Sequence, residues 1–339
     1  MVTTVGILNV TGYAGSELAR LVHGHPGVRL AGVTGRSAAG KRLGEVFPHL
    51  WALDLPIVEE LPAVDVVLST LPHAAAAAQL VPYIEAGVPV IDLSADFRLK
   101  RVEAYEAAYQ TTHPAAGLLG RAVYGLPELH RGEIPPAKLV AAPGCHAAGV
   151  ILALAPAIAR GLIEPEVIAD TKTGLSGAGR TLGLSVHFSE ADESVAPYGL
   201  EGHRHHPEMV QELSLLAEAP APSITFVPHY VPMTRGILST CYGTLRRPMT
   251  REQLREAYRE FYADAPFVHV ADAPPSTKHV AGTNYCIVHP TIDQTTGRAV
   301  LVSALDNLGK GAAGAMVQCL NLMLGLPEDT GLQQLGMFP

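Results

Sequence analysis

The thiol with the most chemistry around it is Cys145, which follows Ala141-Ala142-Pro143-Gly144 and precedes His146-Ala147-Ala148-Gly149-Val150-Ile151-Leu152. That order reads as a strand end, a sharp Pro-Gly turn and an apolar helix. A cysteine at a helix N-terminus is favoured as the thiolate, its nucleophilic form. The N–H groups of the same turn can stabilise an oxyanion. Cys241, Cys286 and Cys319 lie inside strand or helix patterns and read as core.

A second cluster is His203-Arg204-His205-His206-Pro207-Glu208. Pro207 suits the first helical position, so the imidazoles fall just ahead of a helix over 209–217. A helix N-terminus disfavours imidazolium, whereas Glu201 and Glu208 favour it. An imidazole near neutrality suits acid–base work. Two other readings are a surface capping segment and a zinc site. No other Cys/His pair has metal-like spacing, so no metal is expected.

A third feature is the loop Asn9-Val10-Thr11-Gly12-Tyr13-Ala14-Gly15, between a strand pattern and a helix pattern near the N-terminus. Glycines there permit close backbone approach, and the helix start offers N–H groups to a pyrophosphate. Asn9 stands where a first glycine is expected; asparagine tolerates left-handed backbone angles. The alternative is an ordinary tight turn. The second strand ends at Gly35-Arg36-Ser37, with no acid between Val28 and Lys41. NAD sites place an acid there and NADP sites an arginine, so Arg36 and Ser37 indicate NADP, with Lys41 or Arg42 nearby.

These groups need a scaffold. The chain has 339 residues, 48% hydrophobic and 17% charged, which favours two globular domains over disorder. Its net charge of -8 offers no general footprint for nucleic acid or an anionic membrane. The start lacks a basic leader, and four scattered cysteines suit a reducing cytoplasm.

Apolar strands over 5–10, 28–33, 64–69, 88–93 and 138–142 alternate with helices. That pattern implies a Rossmann-like, doubly wound parallel sheet. After about residue 165 the pattern changes. Strands over 223–233, 236–245, 279–288 and 299–304 imply an α+β domain with a mostly antiparallel sheet. Thr250 and Gln253 form a capping box opening a helix over 251–263. The expected division is an α/β dinucleotide domain over 1–147, joined by a returning helix over 308–339, and a catalytic α+β domain over 148–307.

Several segments in order resemble the N-acetyl-gamma-glutamyl-phosphate reductases, relatives of the aspartate-semialdehyde dehydrogenases. They are Gly12–Gly15, Leu71-Pro72-His73, Asp92-Leu93-Ser94-Ala95-Asp96-Phe97-Arg98 and Tyr124-Gly125-Leu126-Pro127-Glu128. Then come Pro143-Gly144-Cys145, Ser176-Gly177-Ala178-Gly179-Arg180, the histidine cluster, Pro228-His229, Val231-Pro232-Met233, Arg235-Gly236 and Asp306-Asn307-Leu308-Gly309-Lys310-Gly311. Asn9, His146 and Ala148 depart from the family's pattern.

The resemblance implies NADPH-dependent reduction of an acyl phosphate through a thioacyl enzyme on Cys145, in arginine biosynthesis. It implies His205 or His203 as acid–base group and Glu208 as its orienting partner. It implies Ser176, Gly177 and Asn307 near the cofactor, Arg98, Arg204 and Arg235 near the substrate, and a homodimer or homotetramer. A lysine-branch reductase acting on an aminoadipate phosphate held by a small acidic carrier protein is the neighbouring alternative. A cysteine acyl hydrolase and a non-catalytic NADP sensor are alternatives of other classes.

Overall fold

The computed structural model describes residues 2–218 and 220–338. It divides into two compact units, Met1–Pro143 with Ala312–Gln334, and Gly144–Gly311 with Leu335–Pro339.

The first unit is built on a seven-stranded sheet of β1 (Thr3–Leu8), β2 (Val28–Thr34), β3 (Ile57–Val58), β4 (Val66–Ser69), β5 (Val90–Asp92), β6 (Val123–Tyr124) and β7 (Leu139–Ala141). The spatial order is β3-β2-β1-β4-β5-β7-β6, and every pairing is parallel. Val5, Ile7, Val67, Leu68, Val90, Ile91 and Val140 are buried, as a sheet covered on both faces requires. The chain reverses direction of travel at β1 and β4, the switch point of a doubly wound sheet. The helix Gly314–Met323 packs in this unit against the helix Tyr13–His23.

The second unit carries β8 (Ile163–Gly174), β9 (Ala196–Pro197), β10 (Ser223–Val231), β11 (Ile237–Leu245), β12 (Val268–Val270), β13 (Cys286–Ile292) and β14 (Ala299–Leu305). The order is β12-β13-β14-β11-β8-β10-β9. β8 runs parallel to β10, and β12 to β13, while β11 pairs antiparallel with β8 and with β14. The sheet is therefore mixed. The longest strand, β8, went unread because Pro165 and its charged neighbours break the apolar pattern. The strand expected over 279–288 starts at Cys286; Thr277–Val280 is a tight turn capped by Ser276.

One face of this sheet is covered by the helix Cys145–Ala159, in which every residue from His146 to Ile158 is buried. A helix apolar on all sides belongs in a core. The helices His206–Ser214 and Arg251–Phe261 flank it. Thr250 and Gln253 form the expected capping box. Tyr258 and Tyr262 donate to the Ala153 and Leu152 carbonyls at 2.7 and 2.6 Å, fastening the cysteine helix from behind.

Two boundaries differ from expectation. The second unit begins at Gly144, so the cysteine turn belongs to it. The tail leaves the first unit after Gln334, and Met337 N donates to Ala281 O at 3.2 Å in the second.

Candidate active site

In the first unit β1 runs into Asn9, whose φ is +63°. Asn9 supplies the left-handed turn that glycine would otherwise supply, and its side chain adds a staple. Nδ2 donates to Thr70 O at 2.9 Å, and Oδ1 accepts from Thr11 Oγ1 at 3.3 Å. Gly15 has no alternative, since a Cβ there would lie 2.7 Å from Val10 O and 2.8 Å from Asn9 O. At Gly12 a Cβ would meet nothing within 4 Å. Thr11, Gly12, Tyr13, Ala14 and Gly15 thus frame open space before the N-terminus of the helix Tyr13–His23. Open space before a helix N-terminus suits a diphosphate.

The end of β2 lies against the same loop: Asn9 N donates to Thr34 Oγ1 at 3.1 Å, and a Cβ on Gly35 would reach Thr11 Cγ2 at 2.6 Å. The next residues, Arg36 and Ser37, are exposed. Arg42 is paired with Asp54. A guanidinium and a hydroxyl beside the loop, with no acid, fit a ribose 2′-phosphate rather than a free diol.

Arg98 corrects an expectation. It is 3% exposed, and its Nε and Nη2 donate to Ala142 O at 2.8 Å and Leu93 O at 2.7 Å. The guanidinium anchors the backbone at the end of β7 instead of presenting a fork to phosphate. The rest of its segment is equally structural. Asp96 accepts from Ala74 N, Ala77 N and Tyr105 Oη. Burial pushes the Asp92 carboxyl up to about 6, against the hydrogen bonds from Ser94 and Ser69.

In the second unit Gly144 is the N-cap and Cys145 the first residue of its helix. The thiol side chain is partly accessible, while Cys241, Cys286 and Cys319 are buried. Gly144 N donates to Glu208 Oε2 at 2.9 Å. Glu208 is 1% exposed and sits in the first turn of the helix His206–Ser214, where a carboxylate is favoured. That bond fastens the cysteine turn to the first turn of the histidine helix.

The histidines differ from one another. His203 Nδ1 accepts from His205 N at 3.1 Å, which leaves the proton of the neutral ring on Nε2. Burial, then Arg204 and His206, hold His203 down at about 4. His205 is the N-cap residue, 8% exposed, with its ring 4.8 Å from that of His203. His206 Nε2 meets Ile224 O at 2.9 Å, and the helix begins at His206, one residue before the expected Pro207.

His146 and Tyr198 join the same group. His146 is 2% exposed, and burial, reinforced by His203, holds it down at about 3. Its Nδ1 lies 2.9 Å from Thr171 Oγ1 on β8, and its Nε2 lies 2.8 Å from Tyr198 Oη. Tyr198 stacks on Tyr230 at 4.0 Å and 9°. Burial and the charge of Cys145 push the Tyr198 phenol up, so it stays a proton donor; exposed Arg204 acts on both tyrosines in the opposite sense. Tyr198 and Tyr230 line a cavity of about 640 Å3 together with Leu175, Glu190 and Ser194. Tyr198 escaped the sequence reading because it lies in a polar stretch without periodicity, 52 residues from His146.

A last cluster closes behind the cysteine. Asp306 is fully buried and accepts from Gly282 N, Leu308 N and Gly309 N. Arg235 Nε lies 3.0 Å from Asp306 Oδ2, which turns this arginine toward Asp306 as its counter-charge. Asn307 Nδ2 donates to Ser176 Oγ at 2.9 Å, and its Oδ1 accepts from Gly236 N at 2.7 Å. A Cβ on Gly177 would sit 3.9 Å from Asn307 Nδ2, so Ser176, Gly177 and Asn307 do come together. A Cβ on Gly311 would fall 2.8 Å from Cys145 Cβ. The small residues of this segment let it lie against the nucleophile.

A doubly wound sheet with a dinucleotide loop, and a mixed-sheet unit carrying an accessible cysteine at a helix N-terminus, define the semialdehyde dehydrogenase architecture. The chain matches the "Semialdehyde dehydrogenase, NAD binding domain" family over residues 4–137 and the "Semialdehyde dehydrogenase, dimerisation domain" family over 145–307. Within that class, it belongs to the N-acetyl-gamma-glutamyl-phosphate reductase family. It is 52% identical to a protein of that name from Dehalococcoides mccartyi, over 98% of each chain, and 48% identical to one from Desulforamulus reducens, over 99% of each. The fold is similar to that of aspartate semialdehyde dehydrogenase II from Vibrio cholerae (TM-score 0.72, 19% identity, 96% of this chain and 99% of that one). It is also similar to aspartate semialdehyde dehydrogenase from Candida albicans, solved with NADP (TM-score 0.73, 18% identity, 96% and 99%).

Proposed function

We propose that this enzyme reduces N-acetyl-gamma-glutamyl phosphate to N-acetylglutamate 5-semialdehyde, a step of arginine biosynthesis, with NADPH as reductant and Cys145 as covalent nucleophile. The observation that carries the reading is the accessible Cys145 at its helix N-terminus, with its turn held by Glu208 beside three histidines. The Cys145 thiolate attacks the acyl carbon and phosphate departs, leaving a thioester. A thioester is a far better hydride acceptor than a carboxylate. NADPH, when bound, supplies that hydride. In the first unit Thr11–Gly15 would hold its diphosphate and Arg36 and Ser37 its 2′-phosphate; in the second, Ser176, Gly177 and Asn307 are the candidates for its nicotinamide end.

His205 is the acid–base group that exchanges the proton at the substrate oxygen. The low pKa of His203 keeps it neutral, so it serves as an Nε2–H donor rather than a proton source. Arg204, exposed and coupled to Tyr198 and Tyr230, is the guanidinium that meets the substrate's anionic groups. Phosphate-dependent oxidation of N-acetylglutamate semialdehyde, followed by NADPH appearance, tests the reading. NAD and the aminoadipate semialdehyde run beside it. Activity with the aminoadipate compound alone would move the enzyme to the lysine branch, and acyl-phosphate hydrolysis without NADPH would make it a hydrolase.

The enzyme works as a homodimer or homotetramer in the cytoplasm. The dimerisation-domain match and the exposed Ile168 on the interior strand β8 support assembly through the second unit. Four free thiols suit a reducing compartment, and among the described residues no helix is long and apolar enough to cross a membrane. Light scattering on the purified protein tests the assembly; a monomer at micromolar concentration would refute it.

A further inference from the structure

His146 is buried next to the nucleophile, yet the chemistry above gives it no role. It holds two hydrogen bonds, to Thr171 on β8 and to Tyr198 on a segment without regular structure. Its ring also packs on three others, at 5.7 Å from His203, 6.0 Å from His205 and 5.6 Å from Phe226. A buried imidazole kept neutral has one N–H and one acceptor nitrogen, so it can bridge two hydroxyls without introducing charge. An apolar ring at this position would fill the same space and leave the Tyr198 hydroxyl with Tyr230 but without its link to the cysteine helix.

We infer that His146 is a positioning residue for the reaction: it fixes the Tyr198 hydroxyl toward the acyl-binding side of Cys145. The inference rests on the reading of Cys145 as nucleophile. Tyr198 is the group through which His146 acts, because its Oη meets the Nε2 of the residue that directly follows the nucleophile, at 2.8 Å. Tyr198 also lines the cavity with Tyr230. The stack of the two tyrosines, 4.0 Å apart, then transmits the placement to Tyr230. Thr171 supplies the rigid end of the bridge: it is fully buried, in the middle of β8.

The test is a mutant cycle on the full chain. His146→Phe keeps a ring and removes both bonds. His146→Gln keeps an amide nitrogen close to the position of Nε2 and so can still meet Tyr198. Tyr198→Phe removes the hydroxyl. For loss of one hydrogen bond, His146→Phe is expected to lower kcat/KM for the semialdehyde by about three- to tenfold, with the KM for NADP unchanged. His146→Gln recovers most of the loss. The double variant is no worse than Tyr198→Phe alone, as coupling through one bond requires.

If His146→Phe does not fold, His146→Asn carries the same expectation, since its amide reaches only the Thr171 side. A wild-type kcat/KM in either variant, a fall in His146→Gln as deep as in His146→Phe, or losses that multiply with Tyr198→Phe would overturn the inference. Iodoacetamide alkylation of Cys145, read by peptide mass, follows the same cycle without substrate. There, too, His146→Phe and Tyr198→Phe are expected to shift the rate by one common factor, and independent shifts would overturn the link. No turnover in the wild type, with that alkylation cycle intact, would refute the proposed reaction and leave the positioning role standing.

Discussion

The carboxylate of Glu208 accepts the backbone N–H of Gly144 at 2.9 Å, which ties the first turn of the histidine helix to the residue before the nucleophile. The acid that follows the histidines therefore sets the cysteine turn. Glu208→Gln retains an acceptor for that N–H, whereas Glu208→Ala leaves it unmet in a buried place. The alanine variant is expected to lose about 1.5–3 kcal/mol of stability and to be the slower enzyme. Thermal unfolding beside kcat for the two variants checks this; equal behaviour of Gln and Ala would contradict it.

Gly311 is the closest steric neighbour of the nucleophile's Cβ among the glycine positions of its loop. An added methyl 2.8 Å from Cys145 Cβ forces one of the two segments to move. Gly311→Ala is expected to destabilise by about 1–3 kcal/mol and to cut kcat more than KM. Steady-state kinetics with a melting curve measures both, and an unchanged kcat would show that the contact relaxes freely.

Asn9 and Arg36 make separable contributions to cofactor binding. Asn9→Gly keeps the positive φ and is expected to bind NADPH nearly as wild type, while Asn9→Ala must hold alanine in the left-handed region at about 1–2 kcal/mol. Arg36→Ala is expected to weaken NADPH by about 1.5–3 kcal/mol, the worth of a charged hydrogen bond, and to leave NADH unaffected. Fluorescence titration with both nucleotides distinguishes loop from phosphate recognition. Equal weakening of NADPH and NADH by Arg36→Ala would remove Arg36 from the 2′-phosphate.

Stability should fall on the acid side for a defined reason. Burial holds the His146 and His203 imidazoles down at about 3 and about 4 in the folded chain, below the ordinary 6.5. The unfolded chain thus takes up protons first as pH drops below 6.5. The stability these two groups contribute is complete above 6.5 and is lost as pH falls through 4 and then 3. Asp92 acts in the opposite sense. Its folded value, about 6, exceeds 3.8, so its contribution is complete below 3.8 and lost as pH rises through 6. Denaturant unfolding at pH 7, 5.5 and 4.5 is expected to show a declining midpoint, and a shallower decline in His146→Phe. An identical slope in that variant would contradict the assignment.

The parallel sheet was legible because β1, β2, β4, β5 and β7 are short apolar runs between turn residues, a pattern that survives without tertiary knowledge. Asn9 was legible as a left-handed residue for the same local reason. The cysteine turn was legible because proline, glycine and cysteine stand in line before an apolar helix. What stayed hidden depends on distance along the chain. Tyr198 meets His146 only once β8 and β10 have brought their segments together. Arg98 looked like a phosphate ligand by type, and only its burial against Ala142 O and Leu93 O reveals an anchor. The strand β8 was obscured by Pro165, which sits near its start.

The central claim, that Cys145 carries the acyl group, is tested most directly by trapping. The enzyme is mixed with N-acetylglutamate semialdehyde and NADP in the absence of phosphate, and peptides are then mapped by mass. The expected result is an acyl adduct on the peptide bearing Cys145, released when phosphate is added, and no adduct in Cys145→Ser. An adduct on Cys241, Cys286 or Cys319 instead, or undiminished turnover in Cys145→Ser, would contradict it.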